Sequence, residues 1–236
     1  MKPELVKELQ KIADPAKAEI LQKFFKTHPG GYGEGDQFLG VSVPLQRKIA
    51  QNQYSQTTSN ELETLMQSPW HEVRLTALFI LIHKLNRGGE SQMEEWVNLY
   101  LDNLDQINNW DLVDASAYKI LGPFLFLNPD RINLIDQLIQ SGDLWRIRIA
   151  VISTFYFIKR GKFELTLRIS AQLLDHPHDL IHKAVGWMLR EIGNRDRVVE
   201  EQFLQSHYHQ MPRTMLRYAI EKFPQNRRKA YLQGLV

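Results

Sequence analysis

Gly142-Asp143-Leu144-Trp145-Arg146-Ile147-Arg148 is the stretch from which the fold can be read. It begins at a break and opens a run with apolar residues every three or four positions, the period of an amphipathic helix. Two other stretches share its outline, Pro69-Trp70-His71-Glu72-Val73-Arg74 and Pro177-His178-Asp179-Leu180-Ile181-His182-Lys183. Working outward, the segments Val73-Arg74-Leu75, Val113-Asp114-Ala115, Ile147-Arg148-Ile149, His182-Lys183-Ala184 and Leu216-Arg217-Tyr218 read as one recurring position, at spacings of 40, 34, 35 and 34 residues. A helix pair repeating at that interval is the mark of a helical solenoid. Tetratricopeptide and ankyrin consensus residues are missing, which leaves degenerate HEAT-like repeats.

The expected fold is therefore all-α: a right-handed α-solenoid of HEAT-like repeats, one domain over 1–236, with about five to six helix pairs. Helices are expected over 70–85, 91–104, 111–121, 129–140, 144–158, 162–174, 178–192, 196–204 and 211–222. Breaks are expected at Pro123, Gly142, Gly161 and Pro212, among other sites. Residues 1–60 read as a helical N-terminal cap, with Asp14 as N-cap and Pro15 as first helical residue of its second helix. Within the cap, Lys26-Thr27-His28-Pro29-Gly30-Gly31-Tyr32-Gly33-Glu34-Gly35-Asp36 is a glycine-rich loop, densest over 29–35. It lacks the Gly-Lys-Ser/Thr ending of a phosphate loop and follows a helix, not a strand. Either it is a turn between helices, or it meets a ligand through backbone amides, Lys26 and Tyr32.

Composition narrows the classes. A chain that is 43% hydrophobic and 24% charged has the balance of a folded globular protein. No apolar run approaches the length of a membrane span, and no basic-then-apolar leader stands at the start. The absence of Cys removes disulfides, thiolate metal sites and Cys nucleophiles and agrees with a cytoplasmic setting. His176/His178 and His207/His209 are spaced by two without acids at ligand spacing, so no metal site and no cofactor is expected. A net charge of +2 is too mild to mark a nucleic-acid binder by itself, so the placement of the 29 Lys and Arg matters more.

At the recurring position four residues are cationic (Arg74, Arg148, Lys183, Arg217) and one is a carboxylate, Asp114. A concave face lined with such cations, joined by Arg190, would follow a phosphate backbone. A lone acid among them weakens binding to a polyanion and is better explained by chemistry. Trp110 stands four residues before Asp114 and Trp187 four after Lys183, so each pair shares a helix face. Tryptophan at helical spacing is more often core than site, and Trp70 and Trp145 are read that way. Aromatic faces beside a carboxylate suit a substrate that is itself positively charged.

Asn109-Trp110-Asp111-Leu112-Val113-Asp114, Leu144-Trp145-Arg146-Ile147-Arg148 and Ile181-His182-Lys183-Ala184-Val185-Gly186-Trp187-Met188-Leu189-Arg190-Glu191 together resemble the AlkD-type DNA alkylation repair glycosylases. The resemblance covers about residues 18–225. It implies HEAT-like repeats, duplex DNA containing alkylated purines as partner, and excision of positively charged N3- and N7-alkylated purines. It also implies that Trp110, Asp114, Arg148 and Trp187 surround the deoxyribose of the lesion, approached from the backbone side and without a closed base pocket. The Gly-rich loop looks like one that many, not all, chains of the wider family carry. A monomer without membrane association is expected. Two other readings fit the repeats: a protein-binding scaffold, and a protein that binds unusual DNA structures without excising bases.

Overall fold

In the computed structural model, which describes residues 4–236, every regular element is a helix. Among the described residues the only strand-like contact is an isolated bridge between Gln37 and Trp70. The first three residues of the expected cap 1–60 lie outside the described residues. Packing separates two compact units, one ending at Ser116 and one running from Ala117 to Val236, where the repeat spacing reads as a single domain. No helix among the described residues is long and apolar enough to cross a membrane.

The first unit holds α1 (Glu4–Lys11), α2 (Pro15–Phe24), α3 (Val43–Gln53), α4 (Ser59–Met66), α5 (His71–Arg87), α6 (Glu90–Asp102) and the start of α7 (Trp110–Leu127). Local chemistry explains several boundaries. Asp14 accepts the Lys17 amide at 3.2 Å, with Pro15 at the first helical position. Thr58 and Glu61 close a reciprocal capping box at the head of α4. α5 packs against α1, α3, α4 and α6, so it is buried around most of its circumference, with Val73, Leu78, Ile80 and Leu81 at its centre.

The second unit holds the rest of α7, then α8 (Asn133–Gln140), α9 (Leu144–Ser153), α10 (Phe155–Ile158), α11 (Glu164–Gln172), α12 (Asp179–Gly193), α13 (Arg197–His207), α14 (Arg213–Ala219) and α15 (Gln225–Gln233). α12 is its central element and packs against α9, α11, α13 and α14. Gly186 permits the last of these contacts. A Cβ there would lie 2.5 Å from the Met215 carbonyl oxygen and 2.6 Å from the Tyr218 Cβ.

Three boundaries depart from the expected ones. α7 does not break at Pro123 but continues to Leu127, because Ile120, Leu121, Phe124 and Leu125 on both sides of the proline are buried. The single helix expected over 144–158 divides at Thr154. There Ser153 Oγ donates to the Ile149 carbonyl and Thr154 Oγ1 to the Val151 carbonyl, both at 2.7 Å, competing with the helix's own pattern. Past residue 222 a further helix, α15, starts after Pro224.

Candidate functional site

The start of α7 is the best-defined polar site of the first unit. Asn109, wholly buried, caps the helix: its Oδ1 accepts the Trp110 amide at 2.9 Å and its carbonyl accepts the Val113 amide at 3.2 Å. Gly33 of the Gly-rich loop lies against this cap. A Cβ at Gly33 would sit 2.4 Å from the Phe25 carbonyl oxygen and 3.0 Å from Asn109 Nδ2. The loop is thus pressed against the helix that carries Trp110 and Asp114. The Trp110 ring stacks on Phe25, with centroids 5.3 Å apart, and meets the edge of Phe24 at 5.9 Å. Trp110 and Asp114 are both half-buried.

Behind this surface lies a network that the sequence motifs do not single out. His71, 2% exposed, is bound on both sides by carboxylates: Nδ1 to Asp36 Oδ2 at 2.7 Å and Nε2 to Asp111 Oδ2 at 2.8 Å. An ionised carboxylate only accepts, so both ring nitrogens donate and the ring is an imidazolium. Burial by itself would lower the His71 pKa. The charge and hydrogen bond of Asp111, with those of Asp36, outweigh it and raise the pKa to about 9. For Asp36 burial pushes the carboxyl up, but His71 and Arg74 prevail and hold it below its ordinary value. Phe25 and Phe38 cover the His71 ring at 5.1 and 4.5 Å. Next to it the Glu72 carboxylate accepts the amides of Leu39, Gly40 and Val41 at 2.8, 2.8 and 3.3 Å, fixing the chain beyond the loop. His71 therefore ties the end of the Gly-rich loop, through Asp36, to the first turn of α7, through Asp111.

A signal for this network is present in the sequence. Asp36, His71 and Asp111 are separated by 35 and 40 residues, the repeat intervals themselves. His71 and Asp111 each stand three residues before the recurring position.

Arg74 requires a correction. The recurring position places it on an open DNA-binding face, but it is 4% exposed. Its Nε donates to the Gln106 carbonyl at 3.1 Å and Nη1 to the Ser68 carbonyl at 2.9 Å. Nη2 donates to Asp36 Oδ1 at 2.7 Å and Asn108 Oδ1 at 3.1 Å. A phosphate would have to displace buried partners that need this guanidinium. Lys26, with a left-handed φ of 52°, places Nζ 5.5 Å from the centre of the Tyr32 ring, and the Tyr32 hydroxyl donates to the Phe24 carbonyl at 3.4 Å. Both loop residues named from the sequence thus pack on one another, Lys26 being exposed. A cleft of about 290 Å³ in this unit is walled by Phe24, Phe25, Phe38 and Val41. Its walls offer few groups with which to read the edge of a base.

In the second unit, Arg148 is 5% exposed and donates Nη1 to the Leu180 carbonyl, which joins the head of α9 to that of α12. Trp187 is half-buried; its Nε1 donates to Glu191 Oε1 at 3.3 Å and its ring lies 6.0 Å from Phe155. Lys183 pairs with Asp179 at 2.7 Å, and Arg190 with Glu221. Arg217 is exposed. The recurring position therefore holds residues in unlike settings, two arginines buried, one lysine paired and one arginine open. Among the described residues no three His, Cys, Asp or Glu side chains gather as a metal-binding set.

Comparison with known proteins adds the following. The family model described as DNA alkylation repair enzyme matches residues 5–223. A solved structure described as a predicted DNA alkylation repair enzyme from Enterococcus faecalis is similar in fold, with a TM-score of 0.71 at 15% identity. The match covers 90% of this chain and 97% of that one. No curated protein matches.

Proposed function

The chain belongs to the DNA alkylation repair enzyme family, and from that premise we propose that it hydrolyses the N-glycosidic bond of positively charged N3- or N7-alkylated purines in duplex DNA. The repeats are read as a right-handed HEAT-like solenoid that presents its inner helices to the DNA. The observation that carries the reading is the Trp110–Asp114 pair on the first turns of α7, half-buried and backed by the His71 network.

The chemistry follows from the charge of the substrate. Hydrolysis of an ordinary glycoside uses two carboxylic groups, one to protonate the leaving group and one on the sugar side. A 7-alkylguanine or 3-alkyladenine nucleotide already bears positive charge on the base, so its leaving group departs neutral without a general acid. One carboxylate then suffices. Asp114 stabilises the oxocarbenium ion as the C1′–N bond breaks and orients the water that adds to C1′. Stabilisation of developing charge by a fixed group of this kind is worth roughly 10²–10³ in rate. Trp110 offers its face to the electron-poor sugar, held in place by Phe25. By resemblance to the family, Trp187 also packs on the sugar and Arg148 holds the neighbouring phosphate. The burial of Arg148 and its bond to the Leu180 carbonyl give it a second task, keeping α9 in register with α12.

Incubation with duplex DNA carrying 7-methylguanine tests the proposal. Release of the free base, leaving an alkali-labile abasic site, is expected. Binding without release would select the inert DNA binder, and no salt-dependent DNA binding would select the scaffold.

A further inference from the structure

A cluster in the second unit takes no part in the excision chemistry. Tyr118 on α7 and Phe155 on α10 meet at 5.3 Å with their rings inclined by 61°. Three cations surround this ring pair. Lys119 Nζ lies 5.1 Å from the centre of Tyr118, and Lys159 Nζ lies 5.9 Å from Tyr118 and 5.6 Å from Phe155. The Arg195 guanidinium lies 5.6 Å from Phe155. On its other side Phe155 meets Trp187. The neighbouring carboxylate is Glu191, and it is engaged by Arg195 at 2.9 Å and by the Trp187 indole. Among the described residues neither Lys119 nor Lys159 has an ion pair. Lys159 and Arg195 are exposed; Lys119 is half-exposed.

The aromatic faces account for part of this gathering, at about 0.5–1 kcal/mol per exposed cation–π contact. They do not account for two ammonium groups drawn to one ring with no carboxylate between them, because like charges at short range repel. Arg195 is already paired with Glu191, but the two ammonium groups are held in place without a carboxylate, as a protein presents charge to an anion supplied by a partner. Small free anions are held by converging buried donors or by a nest of backbone amides. These three side chains are open and spread along two rings, which suits an extended chain of phosphates whose sugars can lie against Phe155 and Trp187.

We propose that Lys119, Lys159 and Arg195, spaced by Tyr118 and Phe155, form a binding site for the phosphodiester backbone of DNA beside Trp187. The inference rests on the DNA-repair reading for the identity of the polyanion, but not on base excision. It relocates the phosphate-binding charge from the buried Arg74 to a part of the chain that the repeat alignment does not mark.

The test is the salt dependence of affinity for an undamaged duplex, read by fluorescence anisotropy between 50 and 300 mM NaCl. Each lost phosphate contact lowers the slope of log Kobs against log [salt] by about 0.9. Lys119→Gln and Lys159→Gln should each do so, and the double variant by about twice as much. Lys162→Gln removes an equally exposed charge from the turn beyond Lys159 and away from the ring pair, and should leave the slope unchanged. Unchanged slopes in the first two variants, or an equal fall in Lys162→Gln, would overturn the site. Displacement of DNA by 10 mM orthophosphate at constant ionic strength would make it a free-phosphate site and overturn the assignment to DNA. A protein that shows the predicted slopes but releases no base keeps this inference and refutes the glycosylase reading; base release with unaltered slopes does the opposite.

Discussion

Removing the His71 charge should make stability depend on pH in a way that can be worked out from its contacts. The unfolded imidazole titrates near 6.5 and the folded one near 9. A raised folded pKa means that the native state holds a proton that the unfolded chain gives up. The stabilisation is therefore complete below pH 6.5 and disappears as pH rises through 9. At 1.36 kcal/mol per unit, a shift of that size corresponds to about 3 kcal/mol. Asp36 has the opposite sign: its lowered pKa supports the fold above its ordinary value of 3.8 and ceases to do so as pH falls below it. The assay is urea unfolding of wild type and His71→Gln at pH 6 and pH 9.5. Glutamine keeps polar atoms in the gap between Asp36 and Asp111 but carries no charge. The variant should be less stable by about 3 kcal/mol at pH 6, and most of that difference should vanish at pH 9.5. Comparing the two proteins at each pH cancels groups they share, Glu200 among them. A difference independent of pH would show that His71 acts by packing between Phe25 and Phe38, and would refute the imidazolium bridge.

Glu200 is buried and unpaired at Oε1, and burial raises its pKa to about 8, against the pull of Arg197 and with the push of Glu201. Its sign makes wild type lose stability from pH 4.5 to 8, so Glu200→Gln should gain on wild type across that interval; an equal response to pH in both would refute it. Arg74→Met should destabilise by about 1.5–3 kcal/mol, because Asp36 keeps His71 but loses its second cationic partner. The salt slope of DNA binding should be untouched by Arg74→Met, and a fall of about 0.9 would restore Arg74 as a phosphate contact.

The repeat period, the caps and the signature around Trp187 make much of the helical architecture legible in the sequence. Asp14-Pro15 reads as a helix start because the physics is local, one side-chain acceptor and one fixed φ. Pro123 misleads for the converse reason: its local preference is overruled by burial of Ile120, Leu121, Phe124 and Leu125, and no neighbour in sequence reports that burial. The recurring position locates Asp114 and Arg148, but equal sequence position does not mean equal exposure. Arg74 has Asp36 opposite it and turns inward, while Arg217 faces solvent. His71 is visible in the sequence only as part of a repeat outline, because its partners come from two other segments. The cluster at Tyr118 and Phe155 escapes for a similar reason: Lys119 on α7 and Lys159 in the turn after α10 lie 40 residues apart and belong to no motif.

That a single carboxylate, Asp114, stabilises the cationic sugar during base loss is tested most directly by single-turnover release of 7-methylguanine. Wild type and Asp114→Asn are compared, beside their affinities for the same methylated duplex. Release slower by roughly 10²–10³-fold is predicted for the variant, with binding retained or tightened because a charge that repels phosphate is gone. Equal release rates would contradict this role and remove Asp114 from the mechanism.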